Sequence, residues 1–202
     1  MSEPKAVAGD VSEVVPGVWH WHVEDERIGY ISAAHAVAGD DGTVLIDPLP
    51  LEAAAMERLG RVSAIVLSTG NHGRSSWRLR DELGVPVHVP HLSESLRDGA
   101  DGTYGDGDAL PGGLRAVFTP GAGTTQHTLL LADPGVAFVP DMLGRPEGED
   151  LAVIPAEYMA DPDEARRSTE RLLALDFEIL CLAHGVPVTT DAKAAIGRAL
   201  AG

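Results

Sequence analysis

Residues 66–76 read Val-Leu-Ser-Thr-Gly-Asn-His-Gly-Arg-Ser-Ser, VLSTGNHGRSS. The apolar run from Ala64 to Leu67 stops at Ser68-Thr69, and a polar, glycine-rich corner follows around His72 and Arg74. A strand that ends in such a corner and runs on into a helix is a common place for chemistry, because the scaffold is rigid and the loop is free to carry function. The run Val62–Ser68 reads as a buried strand, and Ser75–Leu83 reads as a helix stopped at Gly84.

The pattern extends outward on both sides. Upstream, Gly17–Val23, Tyr30–Ala38 and Gly42–Asp47 read as strands, the last two joined by the turn Gly39-Asp40-Asp41-Gly42. Leu51–Leu59 has helical spacing and stops at Gly60. Downstream, Val85–Val89 is a strand. Residues 93–113 are rich in Gly and Asp without a regular period, which predicts a surface loop of little regular structure. Leu114–Thr119 is a strand, and His127–Ala132 pairs with Val136–Val139 across Asp133-Pro134-Gly135. Asp161-Pro162-Asp163-Glu164 opens a helix, with Asp as cap, Pro at the first position and Glu at the third, running to about Leu175. Phe177–Leu182 is a strand followed by Ala183-His184-Gly185, and Asp191–Leu200 is a final helix. Strands, then strand-helix units, then strands and strand-helix again predict an α/β (α+β) domain over residues 1–202, two packed sheets with helices outside.

Composition narrows the function classes. The formal charge of -16 and the absence of a Lys/Arg cluster argue against a phosphate polymer, so no nucleic acid is expected. No apolar run approaches a membrane span and no basic-then-apolar leader is visible, so no membrane is expected either. A lone cysteine, Cys181, excludes an internal disulfide framework and fits a reducing, cytoplasmic setting. The acidity, with two lysines among fifteen basic residues, suits salty cytoplasm and is equally the mark of a GC-rich genome.

Four corners share one design, an apolar strand ending in a polar residue beside Gly or Pro: Leu67-Ser68-Thr69, Phe118-Thr119-Pro120-Gly121, Phe138-Val139-Pro140-Asp141 and Leu182-Ala183-His184-Gly185. Polar groups at the ends of several strands converge on one sheet edge, where sites are built. Together with Val44-Leu45-Ile46-Asp47, these segments in this order resemble the metallo-β-lactamase superfamily over nearly the whole chain. The resemblance implies its four-layer αββα sandwich and a hydrolytic metal centre at that edge.

The chain departs from the family at its defining motif, T-H-x-H-x-D-H. With Thr69 aligned to the threonine, Gly70 stands at the first His, Arg74 at the Asp and Ser75 at the last His, while His72 keeps the second His. Ala122 replaces the ligand of the T-P-G-H segment. Of the ligand positions that the resemblance implies, His72, Asp141 and His184 survive. A catalytic zinc needs about three protein ligands, and a guanidinium only donates hydrogen bonds. A binuclear centre is therefore not expected. The readings left are no cofactor, or a single zinc, iron or manganese ion on His72, Asp141 and His184. Arg74 is expected to offset Asp141 in a direct or water-mediated contact.

The candidate cleft residues are thus His72, Arg74, Asp141 and His184. His72 has a plain alternative as a loop or helix-capping residue, and Asp141 and His184 as loop scaffold. His127 is read as a strand side chain, His20 and His22 as a solvated strand face opposite Trp19 and Trp21, His35 as a satisfied interior histidine, His88 and His91 as loop residues, and Cys181 as inert packing. Two functions follow. One is a degenerate hydrolase of a small ester or thioester, with a single ion activating water, or else with His72 or His184 as base and Arg74 stabilising an oxyanion. The other is a non-catalytic binding or regulatory module for a small molecule or anion, with Arg74 as its anchor.

Overall fold

Alternation of apolar side chains decides which layer each strand faces. In the computed structural model, which describes residues 3–202, β1 (Ser12–Val15), β2 (Val18–Asp25), β3 (Tyr30–Gly39) and β4 (Gly42–Ile46) pair antiparallel in sequence. Then come α1 (Ala53–Arg58), β5 (Val62–Val66), α2 (Ser76–Leu83), β6 (Val87–Pro90), α3 (Glu94–Arg97) and β7 (Gly102–Tyr104), and β4 to β7 continue the same seven-stranded sheet in parallel. The second sheet is formed by β8 (Leu114–Phe118), β9 (His127–Leu131), β10 (Val136–Val139) and, beyond a short ribbon of β11 (Leu143–Gly144) with β12 (Ala152–Val153) and helix α4 (Pro162–Leu172), by β13 (Ile179–Leu182). Its order is β13-β10-β9-β8, and α5 (Ala192–Ala201) closes the chain.

Three apolar clusters separate the four layers. Val44, Ile46, Ala64 and Val66 from the first sheet meet Leu129, Phe138, Ile179 and Cys181 from the second. Their strand neighbours point the other way: Leu45, Ile65 and Leu67 pack beneath Leu59 and Leu79 of the helical side, and Ala137, Val139, Leu180 and Leu182 pack against Leu172 and Ile196. Strands apolar on both faces are what a sheet covered on both sides demands. The αββα sandwich expected from the sequence is borne out, as is the cap of α4, where the Asp161 carboxylate accepts from the Glu164 amide at 3.0 Å. No helix among the described residues is long and apolar enough to cross a membrane.

Several expectations from the sequence are corrected by the fold. Residues 93–113 lie largely at the surface as expected, but they are not without regular structure: they hold the single turn α3 and the edge strand β7. Main-chain pairing of Val89 with Thr103 and Pro90 with Tyr104 holds β7 in place despite Gly102. Tyr104 anchors it, buried, with its hydroxyl donating to the Leu67 carbonyl. Tyr104→Phe leaves that carbonyl unpaired and is expected to lower stability by about 1–2 kcal/mol in urea unfolding. His88 lies within β6 rather than in a loop. His20 and His22 do face opposite the tryptophans, but the face is internal at His20, which is 5 % exposed and bonded to the Gly185 carbonyl at 3.0 Å; only His22 is exposed. His35 is buried with its Nε2 unpartnered among the described residues, so it is interior but not satisfied. β1, β11 and β12 have no counterpart among the strands expected from the sequence.

Candidate functional site

The ends of β4, β5, β10 and β13 meet at one edge, and each delivers one polar group just past its last strand residue: Asp47, the Ser68–Arg74 corner, Asp141 and His184. At this level a main-chain bond links the two sheets, from the Ala33 amide to the Ala183 carbonyl at 2.7 Å, and another ties β13 to β10 within the second sheet, from the Ala183 amide to the Val139 carbonyl at 3.1 Å. These bonds fix the strand ends relative to one another, so the side chains beyond them converge.

His72 stands at the centre. Its Nδ1 faces Asp47 Oδ2 at 2.8 Å and its Nε2 faces Asp141 Oδ1 at 3.0 Å. Asp141 Oδ1 also receives His184 Nε2 at 3.1 Å, while His184 Nδ1 donates to the Ile31 carbonyl at 2.9 Å. Asp47 is further held by the Ser68 amide at 2.8 Å and by the Ser68 hydroxyl. The three residues kept from the resemblance are therefore brought together, with donor atoms of His72, Asp141 and His184 all within 4.8 Å of one another. Asp47 joins them as a site residue that spacing alone did not single out. The signal for it was present: a carboxylate at the end of an apolar strand on the same edge.

Arg74 departs from its expected course. It is 5 % exposed, and its guanidinium donates from Nη1 to the Ala33 carbonyl at 2.6 Å and the Asp47 carbonyl at 3.2 Å. Nη2 lies 3.3 Å from His72 Nε2. The ion partners of Asp141 are His72 and His184, so the direct Arg74–Asp141 contact is not formed. The guanidinium is turned inward rather than offered to a solute, which removes it as an anchor for a small anion. Asp47 and Arg74 both have left-handed backbones, φ 48° and 33°. Such conformations in non-glycine residues cost of order 1–3 kcal/mol and gather where a site requires them.

The charges close on themselves. Burial opposes ionisation of Asp47, but His72, Arg74 and the Ser68 hydroxyl outweigh it and hold the carboxyl below its ordinary range. Asp141 is held well below that range, where burial is overcome by His72 and His184. For His72, burial and the neighbouring guanidinium work against the proton, yet Asp141 and Asp47 prevail and its pKa is raised. An imidazolium donating from both ring nitrogens satisfies both carboxylates. Asp47 and Asp141 thus face the rings of His72 and His184 and the Arg74 guanidinium.

The donor set of His72, Asp141 and His184 is chemically that of a mononuclear metal site. Its charge setting is not. An ion bonded to His72 Nε2 at about 2.1 Å would sit within about 5 Å of the guanidinium nitrogen, given the 3.3 Å between Nη2 and Nε2. At an effective dielectric near 20 that repulsion is about 6 kcal/mol. The ion would also have to displace any proton on His72 Nε2, whose raised pKa favours keeping it. Of the other histidines, His35 adjoins the cluster, lining a small cavity with Asp47 and Ser68. His127 is buried, with Nδ1 on the Thr125 carbonyl at 2.9 Å and its ring edge-on to Tyr104.

His20 and His35 carry the opposite sign to His72. Burial pushes His20 from its ordinary 6.5 down to about 4, and pushes His35 well below 6.5. The unfolded chain takes up these protons near pH 6.5 and the folded chain does not, so their contribution to stability is present above 6.5 and is lost as pH falls towards 4. His20→Gln is expected to flatten the pH dependence of urea-unfolding stability across that window; an unchanged slope would contradict the assignment.

Comparison with known proteins agrees with this architecture. A family model described as the metallo-beta-lactamase superfamily matches residues 12–199. Among solved structures, a metallo-β-lactamase from Pontibacter korlensis is 17 % identical with a TM-score of 0.73, over 96 % of this chain and 99 % of that one. A metallo-β-lactamase from Erythrobacter litoralis is 19 % identical with a TM-score of 0.70, over 97 % and 93 %. A metallo-β-lactamase family protein from Thermus thermophilus is 18 % identical with a TM-score of 0.69, over 94 % and 80 %. No curated protein gives a significant match. At these identities the likeness is one of fold.

Proposed function

Because this chain belongs to the metallo-β-lactamase superfamily, with its hydrolase-like fold, and yet fills the metal edge with its own cations, we propose that it is a metal-independent binding or regulatory module built on that fold. The observation that carries the reading is Arg74 Nη2 at 3.3 Å from His72 Nε2, the nitrogen that also faces Asp141. A general base works best with a pKa near the working pH. Asp141, held well below its ordinary range, is a weak base, and the raised pKa of His72 favours its protonated form, which has no lone pair to offer. Neither is poised to take a proton from water, and Arg74 is too enclosed to meet an oxyanion.

A second reading, hydrolysis of a small ester or thioester on a single ion, is favoured by the donor atoms of His72, Asp141 and His184 lying within 4.8 Å of one another. One experiment separates the two. The protein is incubated with excess zinc, iron or manganese, desalted, analysed for metal and assayed on ester, thioester and β-lactam substrates. The binding reading expects no retained metal and no turnover above that of the heat-denatured protein. About one retained equivalent together with metal-dependent turnover lost in His184→Ala would establish the hydrolase instead.

A further inference from the structure

The positions where the family resemblance places histidines, Gly70 and Ala122, carry almost no side chain, and both line a cavity of about 480 Å³. That lies within the roughly 300–1,000 Å³ of ligand sites. Hydroxyls and an amide dominate the wall: Thr69, Asn71, Ser93, Ser95, Thr124 and Thr125. Glu94 is the one charged side chain there, and Leu92, Ala122 and Ala160 add a smaller apolar side.

The wall is built rather than incidental. A Cβ on Gly70 would lie 3.0 Å from Ser93 Oγ and 3.1 Å from Thr125 Oγ1, so a larger residue there would displace both hydroxyls. The Gly70 amide is itself tied to Thr125 Oγ1 at 2.8 Å. Ser93 is 3 % exposed, and its Oγ has no hydrogen-bond partner among the described residues. Close by, a Cβ on Gly123 would come 3.4 Å from Thr69 Oγ1 and 3.9 Å from Gln126 Oε1. Gln126 is fully buried with both amide atoms unpartnered among the described residues. Buried polar groups are nearly always paired, and each exception calls for a partner.

We propose that this cavity is a binding site for a small uncharged polyhydroxy compound, of monosaccharide to disaccharide size. A ligand hydroxyl both donates and accepts, which matches a wall of hydroxyls and one amide. An anion would meet no cation in the wall, and would meet Glu94 on a chain of net charge -16. The inference gives a ligand class to the binding reading above and stands on the cavity rather than on the charge of the cleft.

The test is an NMR titration of the ¹⁵N-labelled full-length protein with glucose, sucrose, glucosamine and glucose 6-phosphate, for the parent and for Ser93→Ala. The expected result is saturable shifts at Thr69, Gly70, Gly123 and Thr125 with glucose or sucrose. Ser93→Ala should weaken that binding about tenfold, the effect of losing one hydrogen bond. It should do so without lowering Tm, because the hydroxyl holds nothing in the fold. No saturation with either neutral sugar, equal binding by Ser93→Ala, or tighter binding of glucosamine or glucose 6-phosphate would overturn the proposal. A protein that binds neutral sugar here and also turns over esters with a metal would refute the module reading alone; an inactive protein that binds no sugar would refute this inference alone.

Discussion

Arg74→Ala is expected to lose about 3–5 kcal/mol of stability, the range for stripping one partner from a buried charge network. For a chain of this length that is a fall in Tm of roughly 10 °C. The guanidinium is 5 % exposed and ties the Ala33 and Asp47 carbonyls together across the sheet edge. Without it, the two carboxylates lose a permanent positive charge and keep only the rings of His72 and His184. The substitution has a second signature that lost packing would not produce. Arg74 works against the His72 proton, so its removal should let His72 stay protonated to still higher pH. Arg74→Lys keeps a charge but not the planar fork, and should recover only part of the loss. Urea unfolding of the three proteins decides it: an Arg74→Ala variant as stable as the parent would mean that the guanidinium does not balance the cleft.

Gly185→Ala should be as damaging by a steric route. Gly185 follows His184 with φ 108°, and a Cβ there would lie 1.9 Å from the Arg145 carbonyl oxygen and 2.3 Å from its carbon. Backbone cannot yield as the end of a flexible side chain can. Arg145 is bound on both sides of this loop, its amide to the His184 carbonyl at 2.9 Å and its carbonyl to the Val186 amide at 2.8 Å. The expected cost is roughly 4 kcal/mol or more, with His184 drawn off Asp141. Gly197 is the control: it sits within α5 with nothing within 4 Å of an added Cβ, so Gly197→Ala should stabilise by about 0.5–1 kcal/mol. Thermal unfolding that ranks the two variants in the reverse order would contradict this account of the His184 loop.

The layers were legible in the sequence because Val44–Ile46, Ala64–Leu67, Val136–Val139 and Ile179–Leu182 are apolar on both faces, and only a sheet covered twice requires that. β7 was not legible. Its main-chain ladder to β6 and the Tyr104 hydroxyl hold it, and neither leaves a period in a stretch of Gly and Asp. β11 and β12 are two residues each, too short for any alternation to register. The meeting of His72, Asp141 and His184 was legible only through the family resemblance, which placed them at surviving ligand positions. The direction of Arg74 could not, because its left-handed backbone turns the side chain back under β3 and β4 in a way that spacing does not encode. Asp47 was visible as a residue but not as the second carboxylate of the network, since its partner comes from a corner 25 residues away.

On the reading proposed above, His72, as an imidazolium, and Arg74 together supply the charge that metals supply elsewhere in the superfamily. The ¹⁵N spectrum of the His72 ring at neutral pH, recorded with and without excess zinc, tests it most directly. The expected result is both ring nitrogens protonated and a spectrum that zinc leaves unchanged. A His72 with an unprotonated Nε2 that shifts on binding one equivalent of zinc would contradict it.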